Sequence, residues 1–331
     1  MRVGVIGAGA VGGAMAALLD RAGHDVEVTA RGAHLAAIRE SGIRLRGGWG
    51  EHVAPVEAGE LLTHAPELVI VATKAQDAVA AIRDNIRLLR GVPVVIVQNG
   101  LEGVDAAAEA SPRSDIVGAL ATFAASYLSP GEITVTATGP TYVGVMGDDD
   151  LPARYVVRIM NDVMPTELLT NFRGAQWTKL IINQVNALPA VTGLSVQDVV
   201  RDRGLRRLMT ASMREAVRIG RRSRIRFETL QGLGRHKLWW FSVLPLWAGE
   251  IVPRLMARRM GRVPNPGSTL QSIRRGQATE VDYLNGAVVR AAEAVGRTAP
   301  VNALLVELVH EVEATGRFFT VAEVAKRSAR R

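Results

Sequence analysis

The N-terminal stretch RVGVIGAGAVGGAMAALLDRAG constrains the fold of this chain more than any other. Residues 2–7 are a short β-branched run that glycines end at once, and an Ala/Leu-rich helical run follows, ending near Gly23. A strand before and a helix after give GAGAVG at 7–12 the context in which G-x-G-x-x-G carries meaning. Gly7 permits the tight turn, Gly9 lets backbone approach a pyrophosphate, and Gly12 permits close helix–sheet packing. Phosphate is expected against the unpaired N–H groups of the turn and helix start, which include Ala8, Ala10 and Val11. The competing reading is a tight α/β turn that holds nothing; the flanking strand and helix favour dinucleotide binding.

More strands follow the first. HDVEVTARG reads as a second, ELVIVATK at 67–74 as a third, VPVVIVQNG as a fourth and DIVGAL as a fifth, with AQDAVAAIRDNIRLL a helix between the third and fourth. Strands nearly continuous in Val and Ile, alternating with helices, predict a parallel sheet covered on both faces. YLSPGEITVTATGPTYVGVMG holds two alternating runs broken by Pro-Gly and Gly-Pro, which predict antiparallel strands at the sheet margin. From about residue 175 the period becomes helical, with the clearest helices at 177–190, 203–220, 268–296 and 300–315. The expectation is an α/β chain: a Rossmann-type parallel-sheet domain over 1–170, then an all-α domain over 171–331.

The end of the second strand bears on cofactor choice. A carboxylate there accepts from a ribose 2′-OH, whereas this strand ends VTARG, with Glu27 set earlier within it. Arg31 at the tip suits a 2′-phosphate, so NADP(H) is expected over NAD(H). Lys74 and Asn99 end the third and fourth strands, at the edge where an open α/β sheet binds its ligands.

A second cluster of polar residues lies in WTKLIINQVNALPAVTG at 177–193. At 100° per residue Lys179, Asn183 and Asn186 point to about 0°, 40° and −20°, one narrow stripe, with Ile181, Val185 and Leu188 opposite. Short amides in register with one amine suit a shared polar ligand better than a solvated face does. In a shielded cleft such a lysine can protonate the oxygen formed as hydride attacks a carbonyl. Candidate partners occur in PGSTLQSIRRGQATEVDYLNG at 266–286. There Ser268 is an expected N-cap whose neighbouring N–H groups can hold a carboxylate. Glu280 lies near the start of a long helix, or partway along one running through Gly276. An ordinary cap and an ordinary first-turn acid are the bland alternatives.

Composition excludes several classes. With no cysteine among 331 residues there is no disulfide scaffold, thiol nucleophile or thiolate metal site, and no metal is expected. No signal-peptide pattern and no bilayer-length apolar run occur, so the expected location is the cytoplasm, without a membrane partner. The net charge of +8 is concentrated in arginines between about 200 and 275. Without a zinc finger, RNP pattern or interleaved aromatics these predict a solvated basic face, not a nucleic-acid surface.

GAGAVGG at 7–13, Arg31, VATKAQ, VIVQNG at 95–100, WTKLIIN at 177–183, STLQSIRRGQATEVDYLNG at 268–286 and the distal GRTAPVN together resemble the ketopantoate reductase (2-dehydropantoate 2-reductase) family, over nearly the whole chain. The resemblance implies NADPH-dependent reduction of the 2-keto group of ketopantoate to pantoate, on the way to pantothenate and coenzyme A. By position, Lys179 resembles the family's general acid, Glu280 its catalytic, substrate-binding carboxylate, and Ser268 the serine that holds the substrate carboxylate. Arg31 and Lys74 resemble its basic cofactor contacts, Asn99 the asparagine that arranges nicotinamide and substrate, and Asn183 the first substrate amide. The family's second amide falls on Ala187 here, one residue beyond Asn186. The segment 227–267 departs too, with Trp239, Trp240 and Trp247 in one short run. It is expected to pack over the helical domain or form a homodimer contact; the alternative is a lid. The rival functions are a same-fold reductase of another 2-keto acid or a derived imine, and a non-enzymatic dinucleotide sensor.

Overall fold

The computed structural model describes residues 1–261 and 263–329, which form two compact units. The first comprises Met1–Gln98 and Glu102–Phe172; the second comprises Asn99–Leu101 and the chain from Arg173 onward.

The first unit holds twelve strands: β1 Arg2–Ile6, β2 Asp25–Thr29, β3 Ile43–Gly47, β4 His52–Ala54, β5 Glu57–Gly59, β6 Leu68–Val71, β7 Val94–Val97, β8 Ile116–Ala121, β9 Ala124–Ser129, β10 Glu132–Ala137, β11 Thr141–Gly144 and β12 Thr166–Leu168. Eight form one sheet in the order β12-β11-β8-β7-β6-β1-β2-β5, parallel from β5 through β8, with β11 antiparallel to β8. Every residue of β6 and β7 is buried, which is why these runs read as continuous apolar blocks without alternation. The chain passes from β1 to β2 on one side and later returns to β6 on the other. Strand order therefore reverses at β1, and the carboxyl ends of β1 and β6 flank the crevice of a doubly wound sheet.

The remaining strands form a second sheet, β4-β3-β10-β9, against the helix Ala10–Arg21. A Cβ on Gly13 of that helix would stand 3.0 Å from Ile133 of β10. The two margin strands expected in 127–147 are thus three. β9 and β10 form a hairpin turned at Gly131, and only β11 joins the main sheet. The buried Ile133 and Val135 of β10 find an apolar partner in the small-residue face of the helix, which draws the hairpin away from the margin.

The second unit is helical. Arg203–Arg222 and Pro300–Thr315 occupy the expected stretches. Ile181, Val185 and Leu188 are buried in a core with Met209, Met213, Leu284 and Leu305. Two expected helices are interrupted. The run 177–190 is a helix Phe172–Asn183, a 3-10 turn Gln184–Asn186 and a further helix Ala187–Thr192. Pro189 explains the switch, since its ring crowds the carbonyl four residues back, at Val185, and it has no N–H to donate there. The run 268–296 is divided into Gly267–Arg274 and Val281–Ala294. Gly276 adopts φ 62°, its N–H donates to the Ile273 carbonyl at 2.9 Å, and that of Gln277 to the Ser272 carbonyl at 3.0 Å. This is a Schellman stop, so Glu280 precedes a fresh helix and does not lie inside a long one. No helix among the described residues is long and apolar enough to cross a membrane.

Candidate active site

In the first unit the glycine turn joins β1 to the helix Ala10–Arg21. Gly7 adopts φ 98° and its N–H donates to Thr29 Oγ1 at 2.9 Å, tying the turn to the end of β2. A Cβ on Gly12 would collide with the Gly7 carbonyl oxygen, so that glycine is required by the protein itself. Gly9 differs: among the described residues, its own atoms and its two chain neighbours aside, no heavy atom lies within 4 Å of where its Cβ would stand. The protein does not crowd Gly9, which leaves the backbone there open to close approach by a phosphate.

Other groups converge on this edge. The side-chain oxygens of Thr73 and Gln98, just beyond β6 and β7, are buried without a protein partner among the described residues. Gln98 Nε2 donates to the Thr73 carbonyl at 3.2 Å, and a Cβ on Gly7 would stand 2.8 Å from the Thr73 backbone nitrogen. Sequence reasoning singled out their neighbours Lys74 and Asn99 and missed both; their position next to a strand's carboxyl end was the available signal. Lys74 precedes the helix Ala75–Leu89 as its N-cap residue. His34 was missed too. Its Nδ1 accepts from the Gly131 N–H at 3.0 Å, which leaves Nε2–H to donate to the Ala8 carbonyl at 2.7 Å. The imidazole thus braces the glycine turn, and burial holds its pKa below the usual histidine range.

At the tip of β2, Arg31 is exposed and precedes the helix Gly32–Ser41. Both carboxylates of β2 have other work. Asp25 accepts from Arg2 Nε at 2.7 Å. Glu27 is buried and accepts from the Thr63 N–H and Oγ1, each at 2.7 Å, and from the His64 N–H at 3.1 Å. These residues fit a dinucleotide: an open glycine, a helix start, two buried oxygens wanting donors and an exposed guanidinium.

The second unit brings together side chains far apart in sequence. Asn183, at the last position of its helix, donates from Nδ2 to Asn99 Oδ1 at 3.1 Å. Asn99 Nδ2 donates in turn to Glu280 Oε2 at 3.3 Å. Lys179 lies one turn before Asn183 on the same helix and feels the Glu280 carboxylate. Burial lowers its pKa to about 8, the attraction of Glu280 opposing that shift. A lysine so placed is still mostly protonated at neutral pH yet gives up its proton readily, as a general acid must.

Asn186 and Ser268 are held differently. The 3-10 turn takes Asn186 out of α-helical phase, and its Oδ1 would stand 2.6 Å from a Cβ on Gly267. Asn186 therefore packs at the start of the helix Gly267–Arg274. Ser268 is the exposed second residue of that helix and is not its N-cap. The N-cap residue is Pro266, without a side-chain cap, and just before it Asn265 Oδ1 accepts the Gly267 N–H at 2.8 Å. Behind these groups runs a buried amide network. Asn285 Nδ2 donates to Gln184 Oε1 at 2.7 Å and to Asn302 Oδ1 at 2.9 Å, while Ser212 Oγ lies 2.9 and 3.0 Å from the same two oxygens, with one proton to serve either. It fastens the 3-10 turn after Asn183 to the helix that Glu280 precedes.

A doubly wound sheet with an open glycine turn, in one chain with a half-buried lysine beside a carboxylate and two amides, defines a dinucleotide-dependent oxidoreductase. Family models described as ketopantoate reductase PanE/ApbA and ketopantoate reductase PanE/ApbA C terminal match residues 3–148 and 171–313. The chain belongs to the ketopantoate reductase family. It is 30% identical over 319 residues to a 2-dehydropantoate 2-reductase of Pyrococcus abyssi, covering 95% of this chain and 98% of that protein. A 2-dehydropantoate 2-reductase of Archaeoglobus fulgidus is 29% identical, with 94% and 98% covered. Among solved structures, a PanE/ApbA family ketopantoate reductase from Ralstonia eutropha superposes with a TM-score of 0.80 at 28% identity, over 95% of this chain and 99% of that one.

Proposed function

We propose that this protein reduces the 2-keto group of ketopantoate to pantoate with NADPH, in the cytoplasm, as a step toward pantothenate and coenzyme A. The observation that carries the reading is the Asn183–Asn99–Glu280 hydrogen-bonded chain beside a lysine whose pKa is about 8. A protein that only sensed a dinucleotide would have no use for a proton donor of this kind.

Gly9, Ala10, Val11 and Gly12 would hold the pyrophosphate through backbone N–H groups, while Gly7 and Ala8, whose N–H groups donate to Thr29, shape the turn, and Lys74 would add a positive charge. Arg31 pairs with the 2′-phosphate, which is favoured because neither carboxylate of β2 is left to receive a 2′-OH. When bound, the nicotinamide supplies a hydride to the keto carbon. Lys179 protonates the alkoxide oxygen that results, giving the 2-hydroxy acid. Glu280 keeps the lysine charged before transfer and, through Asn99 and Asn183, orients the substrate's polar groups. Ser268 and the start of its helix take the substrate carboxylate, with Asn186 at hand against Gly267.

That position of Asn186 favours one second reading. If its amide serves the carboxylate end and not the end near Lys179, a different 2-keto acid, or an imine derived from one, would fit the same hydride and proton chemistry. NADPH oxidation by purified protein decides, using ketopantoate, other branched 2-keto acids, and keto acids with added amines. The expected result is a specificity constant for ketopantoate well above the rest. Turnover of another acid with none of ketopantoate would transfer the assignment to the second reading.

A further inference from the structure

Residues 235–259 form three short helices, Arg235–Val243, Leu246–Gly249 and Ile251–Arg259, that turn large apolar side chains to solvent. Trp240 is 56% exposed, Trp247 73% and Ile251 55%, and Trp239, Val243, Leu244 and Leu255 are exposed with them. Polar groups anchor the inner side. The Ser242 carbonyl accepts from Arg214 Nη2 at 3.0 Å, and its hydroxyl accepts from Arg221 Nη1 at 2.8 Å. Arg206 Nε donates to Glu250 Oε2 at 2.8 Å, with both side chains under 10% exposed. Turning the segment over to hide its tryptophans would break that buried ion pair, a strongly destabilising change. The apolar side is held outward by design of the contacts beneath it.

The outward side has its own pattern. Glu250 is in the α region, so the phase carries from one helix into the next. Trp247, Ile251, Arg254, Leu255 and Arg258 then fall within an arc of about 100°. Arg235, His236, Lys237, Arg254, Arg258 and Arg259 are all exposed, and the one carboxylate of 235–259, Glu250, is buried and shared between Arg206 at 2.8 Å and Arg254 at 3.6 Å. Tryptophans and aliphatic side chains flanked by cations, with no exposed acid, match an interface that is apolar inside and anionic outside.

We propose that this face docks on the surface of a bilayer containing anionic lipid. Charge argues against a second copy as the occupant. A two-fold contact through this face would set its arginines and lysine against the same residues of the partner, with no carboxylate of the segment to meet them. Surface docking needs no membrane-spanning segment, so the lack of a bilayer-length apolar run is compatible with it.

The test uses the full chain and vesicles of phosphatidylcholine with and without phosphatidylglycerol, followed by flotation and tryptophan emission. Flotation with the anionic vesicles alone, a blue-shifted emission, and loss of binding at high salt are expected. Trp247→Ala with Ile251→Ala should weaken binding about tenfold or more, and Arg254→Ala with Arg258→Ala should remove most of its salt dependence. All these residues are exposed, so an unchanged thermal midpoint verifies that the variants fold. No flotation at low ionic strength would overturn the proposal, as would equal binding to neutral vesicles. So would a dimer in sedimentation equilibrium that Trp247→Ala converts to monomer, which would assign the face to a second copy.

Discussion

The glycine turn of the first unit and the lysine set of the second do their work with different parts of the chain. The turn works through backbone: a left-handed Gly7, a Gly12 with no room for a Cβ, and a Gly9 that nothing crowds. The lysine set works through side chains drawn from positions 99, 179, 183 and 280. Backbone chemistry tolerates almost any flanking side chain but no added Cβ. Side-chain chemistry survives changes of backbone detail but fails when one member is removed. Substitutions should therefore separate the two, the first region losing affinity for the dinucleotide and the second losing turnover.

The largest effect is expected at Lys179. Lys179→Ala should lower kcat for ketopantoate by about 10²–10⁴-fold while dinucleotide affinity, followed by fluorescence titration, stays close to wild type. Turnover within a few-fold of wild type, with the fold intact, would remove the lysine from its role. The mirror experiment is Gly12→Ala. Its Cβ meets the Gly7 carbonyl, so dinucleotide affinity should fall by more than about tenfold if the protein folds, with Lys179 chemistry untouched.

A smaller, more selective effect is expected at Arg31. Arg31→Ala should weaken NADPH by about 10–100-fold, the range for one charge-assisted contact, and leave NADH nearly unchanged. Equal affinity of the wild type for the two nucleotides would contradict the assignment. The smallest change in chemistry is expected from Asn285→Ala. It leaves buried acceptors on Gln184 and Asn302 short of a donor and should cost about 1–3 kcal/mol of stability in urea unfolding. Turnover at a temperature well below unfolding should drop only a few-fold, since Lys179 and Glu280 remain.

The two regions also differ in how far they can be read before the chain folds. The glycine turn lies between a strand and a helix only a few residues away, so its geometry is local and the motif discloses it. The parallel sheet was legible for the same reason, through buried runs such as LVIV and VVIV. The second sheet was not. Its β3 pairs with β10, nearly ninety residues on, so no local pattern announces it. In the helical unit the periodicity correctly put Ile181, Val185 and Leu188 inside. It could not foresee that Pro189 would force a 3-10 turn and carry Asn186 to Gly267. Nor could spacing disclose that Asn99 lies between Asn183 and Glu280, because those hydrogen bonds join residues 84 and 181 positions apart.

The central claim is that the proton comes from a lysine whose pKa burial has lowered to about 8, with Glu280 opposing that shift. It is tested most directly by the pH dependence of kcat for ketopantoate reduction in wild type and Glu280→Gln. The acid form is the active one, so the wild-type rate should be level below about pH 8 and fall as pH rises through that value. Removing the carboxylate removes the interaction that raises the lysine's pKa, so the break in Glu280→Gln should move to lower pH. A wild-type rate that keeps rising above pH 8, or a break that Glu280→Gln leaves in place, would contradict the account.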